Sequence, residues 1–383
     1  MTYRTGTVIC RAGTDSGSAA KALSFLSGST ADAKDRQAAD CDQGGDANGG
    51  NATIILGAPR SGTTWLAKIF DSHPDVLYRH EPDIVLRRTG IPGWVLRSEV
   101  HLHRTAARAY LRRLSGIRTL KSAGSLPVFP KNFRSFPDHL ARLLLIYGLR
   151  GAQVLPRLRN LVRRLPIPDL LRSGEATPAH LVIKSVGACG RACLVADTVP
   201  NGRLILILRN PCGQVASTMR GYALRKFEVP FVIDDLLQTE QANRHGLTAS
   251  RLQAMTAVER FAWRWVLLNE KALEDLQGLG NARVVRYEDL AADPVGTARK
   301  LFAFAGLDWH SQTEAFIRRS TTHSSPSRYF QVFQDTPAVV GRWRTELTHQ
   351  DIVRIAGIVR STRLWQFFPE LHEFVGGQEY AAD

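Results

Sequence analysis

Residues 52–66, ATIILGAPRSGTTWL, set a β-branched run, two glycines and four hydroxyls around a single arginine. The run from Thr53 to Leu56 predicts a strand ending at Gly57, and the Gly-containing turn after it opens a helix at about Thr63. Backbone N–H groups at such a turn, with the positive end of the helix dipole, cradle a phosphate. The spacing from Gly57 to Gly62 followed by Thr63 and Thr64 fits GxxxxG[KT][ST], but Thr63 replaces the lysine of a Walker A loop. The cation stands three positions earlier, as Arg60. The loop therefore suits a phosphate and lacks the lysine that reaches a nucleotide's terminal phosphates. A second anion site is written in RNPCGQVAS: Arg209 closes an apolar strand, and Ser217 falls eight residues on, two turns into the next helix. A planar guanidinium fork and one short hydroxyl donor can there meet the same phosphate.

The elements that must position these groups alternate. LVIK (Leu181–Lys184) precedes a helix at about Ala188–Asp197, and RLILILRN (Arg203–Asn210) precedes one from Pro211 to Tyr222. ARVVRY (Ala282–Tyr287) precedes one at Pro294–Phe304, and a short strand is expected at Val76–Tyr78. This βα repeat predicts an α/β fold: a P-loop-type parallel sheet of about five strands, flanked by helices. Ligands of such sheets bind beyond the carboxyl ends of the strands. The polar residues at those ends are Arg60, Glu81, Lys184, Arg209 and Tyr287.

PRSGTTWL resembles the 5′-phosphosulfate loop of the sulfotransferases that use 3′-phosphoadenosine 5′-phosphosulfate (PAPS). The resemblance implies that Arg60 contacts the sulfuryl end, that Ser61, Gly62, Thr63 and Thr64 hold the 5′-phosphate, and that Trp65 lies against the adenine. RNPCGQVAS resembles that family's 3′-phosphate site, R-[DN]-P-x5-S, which assigns Arg209 and Ser217 to the 3′-phosphate. In VVRYEDLAADP (Val284–Pro294) the resemblance makes Tyr287 the adenine neighbour, while Glu288 and Asp289 brace structure. VVGRWRTEL resembles the segment after the loop that folds over the nucleotide, so Arg342 is a further candidate at the 3′-phosphate and Trp343 packs in the core. Arg328, in SSPSRYFQ, is an equal candidate for that lid.

Sulfuryl transfer to a hydroxyl needs a group to take its proton and cations to meet the charge on the leaving phosphate. The small-molecule branch of the family ends its corresponding strand in Lys-Thr-His, with histidine as base. Here the residues are Lys184-Ser185-Val186, and Val186 cannot take a proton. Glu81 is the expected base, because DSHPDVLYRHEPD resembles the segment that supplies a catalytic Glu in the carbohydrate and tyrosylprotein branch; the chain looks like a bacterial member of it. Adjacent His80 competes for the role. Lys184 and Arg60 balance the departing charge. No metal is expected, since fixed cations and backbone N–H groups can do what Mg²⁺ does in phosphoryl transfer.

Composition bounds the rest. The chain has 383 residues, 44% of them hydrophobic, enough for a large core. Residues 1–51, rich in Gly, Ala, Ser and Asp, are expected to be a poorly structured leader, and 52–383 the sulfotransferase domain. Five cysteines, with Cys189 and Cys193 four apart on an expected helix, read as buried thiols in a reduced, cytoplasmic chain. The net charge of +15 is concentrated between Arg87 and Arg172, within an expected helical, arginine-rich insertion over 87–175 on the acceptor side. RTAARAYLRRL, DHLARLLLIYGLR and LPRLRNLVRRL read as basic amphipathic helices. Their charge suits a solvated face, an anionic acceptor, or acidic lipid headgroups at the inner face of a membrane. Nucleic acid is not expected, because no binding motif or aromatic platform accompanies the charge.

The expected function is transfer of a sulfuryl group from PAPS to a hydroxyl of a glycan, glycolipid or glycosylated metabolite, releasing adenosine 3′,5′-bisphosphate. Two rivals remain at this point: a P-loop nucleotide kinase or NTPase, and a non-catalytic anion-binding protein. Mg²⁺-ATP turnover insensitive to PAPS would mark the first. Full biological activity after Glu81→Gln would mark the second.

Overall fold

Five apolar runs become the five parallel strands β1 (Asn51–Leu56), β2 (Val76–His80), β3 (His180–Ser185), β4 (Arg203–Leu208) and β5 (Ala282–Arg286). They pair in the order β2-β3-β1-β4-β5. The computed structural model describes residues 51–375 apart from 87–89, 164, 172–177, 179, 200, 227–232 and 323–335. The expected leader up to residue 50, the ends Arg87 and Arg172 of the basic stretch, and the lid candidate Arg328 lie outside the described residues.

The sheet is apolar on both faces. Ile54, Leu56, Leu204 and Leu206 enter one core with Trp265, and Ile55, Ile205 and Ile207 enter the other with Leu66, Phe70 and Phe302. A strand covered on both sides has no solvent face to mark, so β1 and β4 read as continuous runs, not alternating ones. Each fully buried side chain of this size contributes about 1.5–3 kcal/mol. The chain runs from β1 out to β2, returns to β3, and only then crosses to β4 and β5. The order reverses at β1, so the loop at its carboxyl end sits at the switch point where such sheets take ligands.

Cys189, Cys193 and Cys212 are buried free thiols. Burial pushes Cys189 up to about 12 and Cys193 up to about 11, so both stay protonated.

Between β2 and β3 the chain builds the helices Val100–Ser115, Leu120–Ala123, Phe136–Ala152 and Pro156–Val162. The first has the expected sidedness, with Ala107, Tyr110 and Leu114 buried and Arg104, Arg108 and Arg112 exposed. Helix Phe136–Ala152 differs from the expected basic solvated face. Arg142 is only 4% exposed and donates to the carbonyls of Pro168 and Ala123, while Arg150 donates to the Gly124 carbonyl at 2.6 Å. Phe136, Leu140, Leu144 and Tyr147 are exposed instead. The physical reason lies in the preceding short helix, whose C-terminal carbonyls have no partner within it and draw guanidinium donors inward. Among the described residues, no helix is long and apolar enough to cross a membrane.

Candidate active site

Strand register gathers the candidate residues. His80 pairs with Lys184, so Glu81 follows directly beside β3, and the Glu81 N–H donates to the Lys184 carbonyl at 2.9 Å. Leu208 pairs with Arg286, which puts Arg209 and Tyr287 one step further at the same level. The carboxyl ends of all five strands share one edge because the sheet is parallel.

At the β1 end, Gly57 lies so deep in the loop that an added Cβ would come within 3 Å of Ser61 Oγ, Thr63 Cγ2 and Ile207 Cγ2. Gly62 takes φ +94°, and a Cβ there would strike the Tyr287 ring at 2.3 Å. Gly62 also leaves the helix Thr63–Asp71 without a side-chain cap, so its first N–H groups are not taken by one. Ser61 Oγ is buried and has no hydrogen-bond partner among the described residues. An orphaned buried hydroxyl at an uncapped helix start fits an incoming phosphate oxygen, which would accept from both. Thr63 is buried and Thr64 half-buried in the same turn.

Arg60 adopts φ +74°, a conformation that costs a non-glycine residue about 1–3 kcal/mol and clusters at functional sites. Its Nε donates to Ser217 Oγ at 3.1 Å, and its carbonyl accepts from Arg209 Nη1 at 3.1 Å. The Arg209 guanidinium lies over the Tyr287 ring, 4.7 Å from its centroid, and Trp65 meets that ring edge-on at 6.0 Å. The two sequence motifs thus form one contact group: Arg60, Ser61, Gly62, Thr63, Trp65, Arg209, Ser217 and Tyr287. Tyr287 and Trp65 are both buried, and Trp65 Nε1 donates to Ser320 Oγ at 3.1 Å. Arg342 stands exposed at the start of the helix Trp343–Glu346 and exerts its charge on Tyr287, while Trp343 is buried. Glu288 braces the site from behind: its Oε1 accepts the Asn210 N–H at 2.9 Å, and Asn210 Oδ1 caps the helix Pro211–Ala223.

A second group forms at the ends of β2 and β3. Glu81 also has positive φ, +45°. Its Oε1 is ion-paired with Lys184, which is only 2% exposed, and its Oε2 with Lys121 at 2.9 Å. Burial alone would raise the Glu81 carboxyl, but Lys184 and Lys121 outweigh it and hold the group well below the usual carboxylate range. Burial also draws Lys184 below its ordinary value, although Glu81 opposes this. His80 is pulled down to about 3, first by burial and then by Lys184, so it is neutral at pH 7. Its Nδ1 shares a hydrogen bond with the Tyr78 hydroxyl at 2.8 Å. Ser185 Oγ donates to Asp83 Oδ2 at 2.6 Å, and Asp83 Oδ1 is buried with no partner among the described residues.

Sequence reasoning missed Lys121 and Asp83. Lys121 lies in the short insertion helix, where one cation among many carried no signal; only the fold brings it to Glu81. Asp83 was visible in His-Glu-Pro-Asp, two residues beyond the expected base, but its partner Ser185 is more than a hundred residues away.

Residues 53–311 match the model of the Sulfotransferase family. Human carbohydrate sulfotransferase 5 is 25% identical over 328 residues, covering 79% of this chain and 74% of the relative. Mouse carbohydrate sulfotransferase 2 is 26% identical over 337 residues, covering 77% of this chain and 61% of the relative. Among solved structures, sulfotransferase STF9 from Mycobacterium avium aligns at 16% identity and a TM-score of 0.41, over 86% of this chain and 81% of that one. With the family model matched over more than half of its length, the chain belongs to the sulfotransferase family.

Proposed function

We propose that the enzyme moves a sulfuryl group from PAPS to a hydroxyl of a glycan, glycolipid or glycosylated metabolite, with Glu81 as base. The observation that carries this reading is the Arg60–Ser217 hydrogen bond, which joins the loop suited to the 5′ end of the donor to the residues suited to its 3′-phosphate. The resemblance to carbohydrate sulfotransferases over more than three-quarters of the chain favours a sugar hydroxyl as acceptor. A lipid-linked acceptor would also bring the arginine-rich insertion to a surface of headgroups.

In this reading Ser61, Thr63, Thr64 and the loop N–H groups hold the 5′-phosphate, and Arg209 and Ser217 hold the 3′-phosphate. Tyr287 and Trp65 wall the adenine side. Glu81 accepts the proton of the acceptor hydroxyl as its oxygen bonds to sulfur, and the bond from sulfur to the 5′-phosphate oxygen breaks, leaving its electron pair on that oxygen. As Glu81 is neutralised, Lys184 loses its counter-charge and becomes available to the charge growing on the leaving phosphate. Arg60 supplies a second cation there. Lys121 has to release Oε2 before the acceptor can reach it.

The test combines calorimetry with adenosine 3′,5′-bisphosphate and turnover of labelled PAPS against a panel of glycans and glycolipids. Binding of the bisphosphate, with label transferred to a sugar hydroxyl, supports the reading. Turnover of Mg²⁺-ATP without response to PAPS overturns it.

A further inference from the structure

The helix Phe136–Ala152 and its successor Pro156–Val162 present a surface that sulfuryl transfer does not explain. On the first, the exposed positions Phe136, Leu140, Leu144 and Tyr147 recur at i, i+4, i+8 and i+11, one continuous face. Phe136 is 77% exposed and Leu144 67%. The stripe continues through Val154, 80% exposed, into Leu158 and Leu161 on the next helix. Scattered surface leucines need no explanation, but a stripe along two successive helices does. The arginines of the first helix cannot cover it, because Arg142 and Arg150 are turned inward onto backbone carbonyls.

Charge decides what covers this face. Arg157 and Arg159 are exposed on the second helix, one on either side of Leu158 in sequence. Among the described residues from 100 to 171 the acids are Asp138 and Asp169, neither of them exposed: Asp138 accepts from Ser135 at the helix start, and Asp169 is buried against Arg79. A second copy of the chain would set arginine against arginine across the contact. A soluble polyanion would satisfy the arginines and leave the leucines in water. A bilayer with anionic headgroups meets both demands, taking the apolar side chains into its acyl boundary and pairing the guanidinium groups with phosphate.

We propose that this helical pair docks on an anionic lipid bilayer, with Phe136, Leu144 and Leu161 inserted and Arg157 and Arg159 on the headgroups. The inward side of the first helix is tied to the proposed active site by hydrogen bonds. Arg142 and Arg150 bind the carbonyls of Ala123 and Gly124, at the end of the short helix that carries Lys121 to Glu81.

Co-sedimentation of the full chain with vesicles tests the proposal. Vesicles of phosphatidylcholine with about 30% phosphatidylglycerol should bind at least about tenfold more strongly than pure phosphatidylcholine, and about 0.5 M salt should remove most of the difference by screening. Leu144→Glu with Leu161→Glu should lower binding about tenfold or more while calorimetry with adenosine 3′,5′-bisphosphate stays at the parent value. Arg157→Ala with Arg159→Ala should lower it on anionic vesicles alone. Three results would overturn it: absence of binding to either vesicle, equal binding to both, or a dimer in sedimentation that Leu144→Glu dissolves without any vesicle binding. Because nucleotide binding is read separately, failure on vesicles leaves the sulfotransferase reading standing.

Discussion

The two contact groups on the sheet edge are built on different plans. At β1, β4 and β5 the Arg60 side chain meets the Ser217 hydroxyl, and the Arg209 guanidinium meets the Arg60 carbonyl and the Tyr287 ring. At β2 and β3 the carboxylate of Glu81 is held between Lys184 and Lys121. In the proposed mechanism the first plan joins two arginines where the anionic donor would bind. In the same mechanism the second keeps the proposed base quiet until an acceptor displaces a lysine. The difference teaches that, in the proposed mechanism, donor and acceptor sites need not be held alike: two arginines meet at one, and a carboxylate is locked between two lysines at the other.

Removing the base gives the largest expected effect and breaks the comparison most directly. Glu81→Gln should lower turnover about 10²–10⁴-fold while leaving bisphosphate affinity unchanged in calorimetry. Turnover within a few-fold of the parent would remove Glu81 from the chemistry. Next is Arg209→Ala, which should weaken bisphosphate binding about 10–100-fold, the worth of a charge-assisted contact. Parent-like affinity would discredit the 3′-phosphate assignment. Ser217→Ala, which deletes a single hydroxyl, should cost about 0.5–1.5 kcal/mol of the same affinity, a few-fold in Kd.

The subtlest change sharpens the account of the locked base. As the proposed base Glu81 works only when ionised, and its carboxyl is depressed by two lysines, so activity should persist to low pH and fall as the group protonates. Lys121→Met removes one of those cations and lets the carboxyl rise toward its ordinary value. The acid limb of the kcat profile should therefore move to higher pH, with faster turnover on the plateau from a more basic carboxylate. An unmoved limb would mean that Lys121 does not act through Glu81.

Much of this site was legible before any fold was drawn. The loop of Arg60 to Trp65 and the pair Arg209 and Ser217 lie in short contiguous stretches, where the turn and the helix that follow dictate geometry locally. The parallel sheet was equally readable, because strands buried on both faces leave unbroken apolar runs such as Leu204–Leu208. Lys121 was not readable: it is one of many cations in its stretch, and Glu81 is forty residues away in sequence. The orientation of the insertion helices was not readable either. RTAARAYLRRL and DHLARLLLIYGLR have similar spacing, yet the first turns its arginines out and the second turns them in.

The sequence by itself determined the glycine turn after β1, the strand-helix alternation and the residue types at the strand ends, since each follows from backbone preferences acting over a few residues. Only the tertiary structure decided which cation meets Glu81 and which side of helix Phe136–Ala152 faces water. Rotation of a helix about its own axis is set by what its neighbours leave unsatisfied, here the carbonyls of Ala123, Gly124 and Pro168, and those partners come from other parts of the chain.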